Sequence, residues 1–333
     1  MLSGNFRPWG HFSWVENKLE EREWCFLGCL STEDRFIAAV EQAKLRFQLL
    51  SSLFIEVKDE ESEYTDRVLE KNGNHALLLQ SLLGSTHTVQ QLKLLGSPIL
   101  LKQAITEFIA ISNGNIVLDI SCFPKRFFFP IIKLLHESDD VQNLLVCYSL
   151  PDKYHDGPLS EEPLSWSHIP MFQQSEILTT KVEKAIVGVG FIALGLPSLL
   201  KNDYNDAEVT LLFPFPPGPP NYQRTWEFVQ EIEKFYPLDD SERIVRVDVK
   251  DVSGCYDHIL NLTDNGTNTS ILAPYGPKTQ SLAMALFAIK HGCGVFYTQP
   301  KYYHPDYSSG VKFLRGIPEI YLYCIKLDGR SLY

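Results

Sequence analysis

Two short turns in this sequence gather the groups best suited to holding a small anion. The first, Asp119-Ile120-Ser121-Cys122-Phe123-Pro124-Lys125-Arg126, runs out of an apolar stretch and into three phenylalanines. The second, Tyr275-Gly276-Pro277-Lys278-Thr279, leads into a helical pattern rich in small residues. A helix start carries partial positive charge from its unpaired N–H groups, so a cation there is out of place unless an anion sits beside it. Hydroxyls at Ser31, Ser121 and Thr279 suit phosphate oxygens or a ribose, and the rings of Tyr148, Tyr275 and Tyr297 suit a base. Together with Lys125, Arg126, Gly276 and Lys278 they form the candidate ligand-binding set. Plainer roles stand beside these. Lys125 and Arg126 also fit a solvated helix end, Tyr148 and Tyr297 also fit strand-end packing, and Asp119 fits a turn-capping carboxylate better than a catalyst.

The elements that must position these turns come in two copies. The string "VCYSLPDKYHD" near residue 148 matches "VFYTQPKYYHPD" near residue 297, so Tyr148, Pro151, Tyr154 and His155 pair with Tyr297, Pro300, Tyr303 and His304. Each string follows a strand, a Pro-Lys turn and an amphipathic helix, and further upstream each copy has a strand running through glycine into a helical pattern. The expected fold is therefore α/β, with two Rossmann-like units of mostly parallel strands related by an internal duplication. The divisions expected are an arm at 1–20, a first half at 21–150, a connection at 151–180 and a second half at 181–333. In the first half strands are predicted near 24–30, 53–57, 115–120 and 143–148, with helices at about 32–50, 64–83, 98–112 and 126–137. Ser31 and Asp34 are placed to form a capping box, and Pro130 falls within about the first turn of its helix. In the second half strands are predicted near 184–190, 208–213, 243–249, 269–273 and 293–297, helices near 221–235 and 277–291, and a last strand near 320–326. The strand at 243–249 has no visible counterpart in the first half, where 60–112 reads as helical. The Pro-rich stretch 213–222 reads as a stiff loop, either a cleft wall, a partner-docking loop or a rigid crossover.

In such sheets ligands sit beyond the carboxyl ends of the strands, where both Pro-Lys turns and both Tyr strings fall. The 333 residues carry a net charge of −11, which argues against binding duplex nucleic acid but leaves room for a small anionic ligand. No apolar run is long enough for a membrane span, and no secretory signal is visible, so a cytoplasmic protein with reduced cysteines is expected. No dinucleotide fingerprint, P-loop or nucleophile elbow occurs, and neither His155 with Asp156 nor His304 with Asp306 has a third ligand nearby. The expectation is no catalytic residue, no metal and no cofactor.

"DISCFPK" resembles the Asp/Asn-x-Ser/Thr-x-x-x-Arg/Lys motif of CRISPR-associated Rossmann-fold (CARF) sensor domains. "APYGPKTQSLAMAL" is similar to the Gly-Thr-Lys turn and helix of many of them, departing by one residue at Gly276-Pro277-Lys278. Two such units in one chain resemble the SAVED arrangement. The resemblance implies a pocket for a cyclic oligonucleotide messenger lined by Ser121, Lys125, Tyr275 and Lys278, with the loops after Leu30 and Gly190 as walls and both lysines facing one cleft between the halves. Residues 316–333 leave no room for an appended effector, so a separate effector protein, a nuclease or ATPase, is expected. The resulting expectation is a nucleotide-sensing module of a prokaryotic antiviral system. The alternatives are a ligand-free scaffold subunit, holding its partner through Trp9, Phe12 and Trp14 and the Pro-rich loop, and a metal-independent nuclease that degrades the messenger.

Overall fold

The computed structural model describes residues 6–173, 181–215, 221–235 and 243–333. The middle of the Pro-rich stretch lies outside them. Two compact units divide the chain, one of residues 1–162 with 300–333 and the other of 163–299. The expected second half runs to 333, whereas residues 300–333 pack with the first unit.

The first unit opens with β1 (Trp9–His11), α1 (Phe12–Glu16), β2 (Glu23–Leu30), α2 (Ala38–Arg46), β3 (Gln48–Lys58) and α3 (Thr65–Leu83). It continues through β4 (His87–Lys93), α4 (Pro98–Ile111), β5 (Asn115–Asp119), α5 (Lys125–Glu137), β6 (Asn143–Ser149), β7 (Pro151–Tyr154) and β8 (Ser160–Pro163). The second unit holds β9 (Ser167–His168), β10 (Lys184–Gly188), α6 (Leu196–Asp203), β11 (Glu208–Phe215) and α7 (Asn221–Glu233). It ends with β12 (Ile244–Asp248), α8 (Val252–Leu262), β13 (Ser270–Pro274), α9 (Lys278–His291) and β14 (Gly294–Tyr297). The chain then returns to the first unit with β15 (Pro300–Tyr303), β16 (Ser308–Val311), β17 (Phe313–Leu314), β18 (Ile317–Pro318), β19 (Ile320–Leu327) and β20 (Arg330–Ser331).

Both main sheets are wound alike. In the first unit the order is β1-β19-β6-β5-β2-β3-β4, with β6 through β4 parallel and β19 antiparallel. In the second it is β12-β11-β10-β13-β14-β9, parallel except for β9. Each chain copy lays its second and third strands on one side of its first strand and its fourth and fifth on the other. This leaves a switch point between β2 and β5, and another between β10 and β13. The central strands are buried along almost their whole length, as β5, β6 and β13 show, because helices cover both faces and no alternation is needed. The predicted α/β class with mostly parallel sheets is what the structure has.

Several local expectations need correction. Residues 87–93 are not helical but form β4, the third strand and the counterpart of β12, so the repeat is complete. Its side chains are mostly exposed, and an edge strand of this kind carries no alternating apolar signal. Helix α8 was not predicted. Asp251 caps it by accepting the Gly254 N–H at 2.8 Å, while Gly254 and the β-branched Val252 mask its start in the sequence. The helix expected over 32–50 is shorter, because a 3-10 turn at Asp34–Phe36 precedes α2 and β3 begins at Gln48. The Ser31–Asp34 capping box does not form. Ser31 Oγ accepts the Glu33 N–H at 3.3 Å, and Asp34 accepts instead from Gly310 at 3.0 Å. Pro130 is the sixth residue of α5, in its second turn rather than its first, which removes one intrahelical donor. The N-terminal arm is part of the first unit: β1 pairs with β19, Trp9 stacks on Tyr323 at 5.8 Å, and Phe12 is buried against Phe47. Trp14 alone of the three aromatic residues is largely exposed, at 53%.

The repeated strings pair crosswise within the first unit. β7 pairs with β16 and β15 with β8, so the strand in the later part of each string binds the strand that follows the other string. At this clasp the equivalent rings of His155 and His304 stack face to face, 3.9 Å apart and 10° from parallel. His304 Nδ1 accepts the Asp306 N–H at 3.1 Å, which requires that nitrogen to be unprotonated. Tyr64 meets the His304 ring edge-on at 4.9 Å and donates its hydroxyl to Glu161. Asp306 bridges Lys71 at 2.8 Å and Arg67 at 2.6 Å, and these bonds hold its carboxyl down at about 2. On the other flank Asp59 accepts the Tyr303 N–H at 2.9 Å, and burial pushes its carboxyl up to about 6.

Burial and the neighbouring His155 lower the pKa of His304, despite the nearby Asp306. The folded clasp therefore binds protons less readily than the unfolded chain, so this contribution is complete above about pH 6.5 and is lost as pH falls below it. Asp59 acts in the opposite sense, contributing below its unfolded value near 4 and losing that contribution as pH rises through about 6. His304→Phe keeps an aromatic ring without a titrating nitrogen and isolates the histidine. In urea unfolding at pH 7.5 and pH 5.5, wild type should lose more stability on acidification than His304→Phe. Parallel losses would show that the stack does not titrate.

Candidate functional site

At the first unit's switch point, most hydroxyls are engaged within the protein. Asp119 accepts the Ser121 N–H at 2.9 Å and the Ser121 hydroxyl, and Ser121 Oγ accepts the Ser149 N–H at 2.7 Å. Ser121, fully buried, thus ties the end of β5 to the end of β6. The half-exposed Ser31 accepts at its carbonyl from His75 Nδ1 at 2.7 Å. Tyr148 is buried, with its phenol 3.4 Å from an Arg35 nitrogen.

Arg35 dominates this edge and was missed in the sequence. It is 1% exposed, donates twice to Glu33 at 2.8 and 3.1 Å, and donates to the Ser149 carbonyl at 3.1 Å. Burial is the largest single influence and opposes its charge, but Glu33, with Tyr148, Cys122 and Tyr154 after it, together outweigh burial, and the guanidinium stays protonated. Glu33 also accepts from Ser308 on β16, so the clasp is fastened to this loop. "STEDRF" looks like an exposed helix start, and no sequence feature marks its arginine as interior.

Helix α5 then begins at Lys125, directly after Pro124. Lys125 is half-exposed as the first helical residue. Arg126 is tethered, its Nε donating to the Leu94 carbonyl at 3.0 Å, and partial burial lowers its pKa.

In the second unit the main chains themselves meet at the switch point. Gly188 lies in register with Pro274, and a Cβ placed on Gly190 would stand 2.1 Å from the Tyr275 carbonyl oxygen. Only glycine permits that approach. Tyr275 is buried: its hydroxyl bonds Thr298 Oγ1 at 2.7 Å and accepts the Thr298 N–H at 3.2 Å, and burial raises its pKa. Its ring lies 5.2 Å from the half-buried Tyr297. Thr279 is buried too and donates to the Val249 carbonyl. Helix α9 begins at the half-exposed Lys278, after the buried Gly276 and the half-buried Pro277.

The two helices start alike. Each has a proline N-cap, at φ −58° and ψ 150° for Pro124 and φ −54° and ψ 156° for Pro277, then a lysine and no acidic residue in the first turn. A proline has neither a side-chain acceptor to cap the first turn nor an N–H to receive. Gln280, at the third helical position of α9, would normally reach back to such an N–H. Here it reaches back to Gly276, whose added Cβ would lie 2.2 Å from Gln280 Oε1, and neither end of its buried amide has a partner. An unpaired buried amide costs about 1–3 kcal/mol, so a group that supplied its bonds would be favoured there.

Of the candidate set, then, Ser121, Tyr148, Tyr275 and Thr279 are absorbed into internal bonds, and Arg126 into a tether. Lys125, Lys278, Ser31 and Tyr297 keep partial exposure. Lys125 belongs to the first unit and Lys278 to the second, each at its own sheet's switch point. Among the described residues no three His, Cys, Asp or Glu side chains gather to hold a metal ion, and no helix is long and apolar enough to cross a membrane.

No family model and no curated protein matches the chain. Among solved structures it is similar to the functionally unknown protein PA1789 from Pseudomonas aeruginosa PAO1, at 12% identity and a TM-score of 0.24, covering 83% of this chain and 92% of that one. It is also similar to the cytoplasmic domain of a prokaryotic cation chloride cotransporter, at 8% identity and a TM-score of 0.24, covering 84% of this chain and 96% of that one.

Arg35→Met should lower unfolding stability by about 3–5 kcal/mol, because Glu33 is left charged and buried. Adding Glu33→Leu should restore most of the loss, which chemical denaturation of the single and double variants would measure. A double variant no more stable than the single one would contradict this account of the pair.

Proposed function

We propose that this chain is a nucleotide-sensing module, binding a small phosphate-bearing ligand at the carboxyl edge of its sheets and controlling a separate effector in a prokaryotic antiviral system. The main support is the twin helix start. Pro124-Lys125 and Pro277-Lys278 stand at equivalent switch points, each offering a cation, an N-terminal helix dipole and no side-chain cap at the N-cap position. The resemblance of both turns to CARF motifs supports a nucleotide as the anion, and a cyclic oligonucleotide is the form it implies.

The second unit is the better candidate for the occupied site. At the first unit's edge Arg35 is already balanced by Glu33, and β16 is fastened over the same loop. In the second, the unpartnered amide of Gln280 lies beneath the turn that carries Lys278. A phosphate bonded there would favour one arrangement of the 275–281 turn, and the signal would be the shift in population that this preference produces.

The absorption of Ser121, Tyr148, Tyr275 and Thr279 into internal bonds favours a second reading, a scaffold subunit that keeps the fold without a ligand. Calorimetry against a panel of cyclic and linear oligonucleotides separates the two. Sensing predicts saturable binding of at least one of them, weakened at least tenfold by Lys278→Ala, or about 1.4 kcal/mol, and less by Lys125→Ala. Absence of binding across the panel would favour the scaffold.

A further inference from the structure

Strand β4 ends the first sheet. β4 pairs with β3 over seven uninterrupted positions, Ser52 with His87 through Lys58 with Lys93, and among the described residues no strand pairs with its other edge. Natural sheets blunt such edges with charge, proline, a bulge or brevity. β4 has no proline and no bulge, and its one lysine is its last residue. From Asn72 to Leu92 the sequence contains no Lys, Arg, Asp or Glu, in a chain where 21% of residues are charged. Val89 is 40% exposed on this strand, and the helices leading into and out of it expose Leu77 at 69%, Leu78 at 54%, Ile99 at 72% and Leu100 at 53%. Uncharged polar and apolar groups line an edge of open backbone donors and acceptors, which is the composition of a strand that pairs.

We infer that β4 is a homodimer interface, pairing antiparallel with β4 of a second copy across a two-fold axis at Val89. A two-fold perpendicular to the sheet must set one residue opposite itself, because opposed residues share a face. With Val89 on the axis, valine meets valine, Thr88 meets Gln90 and His87 meets Gln91. These are a β-branched pair flanked by neutral polar pairs, and no two formal charges meet. With Gln90 on the axis, His87 would instead face Lys93 and the valine pair would be lost. The edge thus matches itself better centred on Val89 than on Gln90, and this self-match is the ground for taking a second copy as its partner. This interface is separate from the ligand site and does not depend on it.

Sedimentation equilibrium of the full chain in the micromolar range should give twice the 38.0 kDa chain mass. Val89→Lys sets like charges face to face on the axis and should give the single-chain mass, with dissociation at least tenfold easier. The pair Thr88→Lys with Gln90→Lys should also give the single-chain mass, whereas Thr88→Lys with Gln90→Glu sets opposite charges across the interface and should keep the dimer. Leu45→Lys, on the exposed face of α2, should leave the mass unchanged. A monomeric wild type, a dimer that survives Thr88→Lys with Gln90→Lys, or a monomeric Thr88→Lys with Gln90→Glu variant would each overturn the proposal.

Discussion

A parallel sheet forces every strand to be entered from the same end, so each connection must return over a helix before the next strand begins. The turns freed from that requirement all collect on the carboxyl edge, and the reversal of strand order opens a gap there between two adjacent turns. This constraint applies twice in the chain, once for each sheet, and it decides where chemistry can sit. What differs is how each copy fills its gap. The first sheet fills it with the Glu33–Arg35 pair, itself held by Ser149 and by β16. The second brings main chain against main chain at Gly190 and Tyr275 and leaves the side-chain amide of Gln280 without bonds. Burying an ion pair is stable only when its remaining bonds are made, as they are around Arg35, and that edge is accordingly committed to structure.

The crosswise pairing of the repeated strings gives the first unit a part that its own copy does not encode. β15 and β16 come late in the chain yet rest on Asp59, Lys71 and the loop at 31–36. Their hold depends on groups that respond to protons in opposite senses, with His304 weakening it in acid and Asp59 as pH rises through about 6. Asp306, kept ionised to about pH 2 by Lys71 and Arg67, is the steady anchor between them.

What the sequence revealed follows from burial. Strands covered on both faces, such as β6 and β13, are continuous apolar runs and were legible, as were the long helices α3 and α4 with their regular buried stripes. β4 was not, because an edge strand has little to bury, and neither was α8, whose start is held by a single Asp251 cap. The Pro-Lys turns were visible because a proline beside a cation is locally odd. The interior position of Arg35 depends on Ser149 and Ser308, more than a hundred residues away in the chain, and short-range pattern cannot register that. The match between the two Tyr-His strings was plain, but not that the equivalent histidines would stack on one another.

On the proposed reading the first turn of α9 receives an anion. Amide hydrogen exchange resolved to single residues, with and without a saturating mixture of cyclic oligonucleotides, tests it most directly. Exchange should slow at Lys278, Thr279 and Gln280 when the mixture is present, with smaller changes at the start of α5. Unchanged exchange across both helix starts, or protection confined to other parts of the chain, would contradict the account.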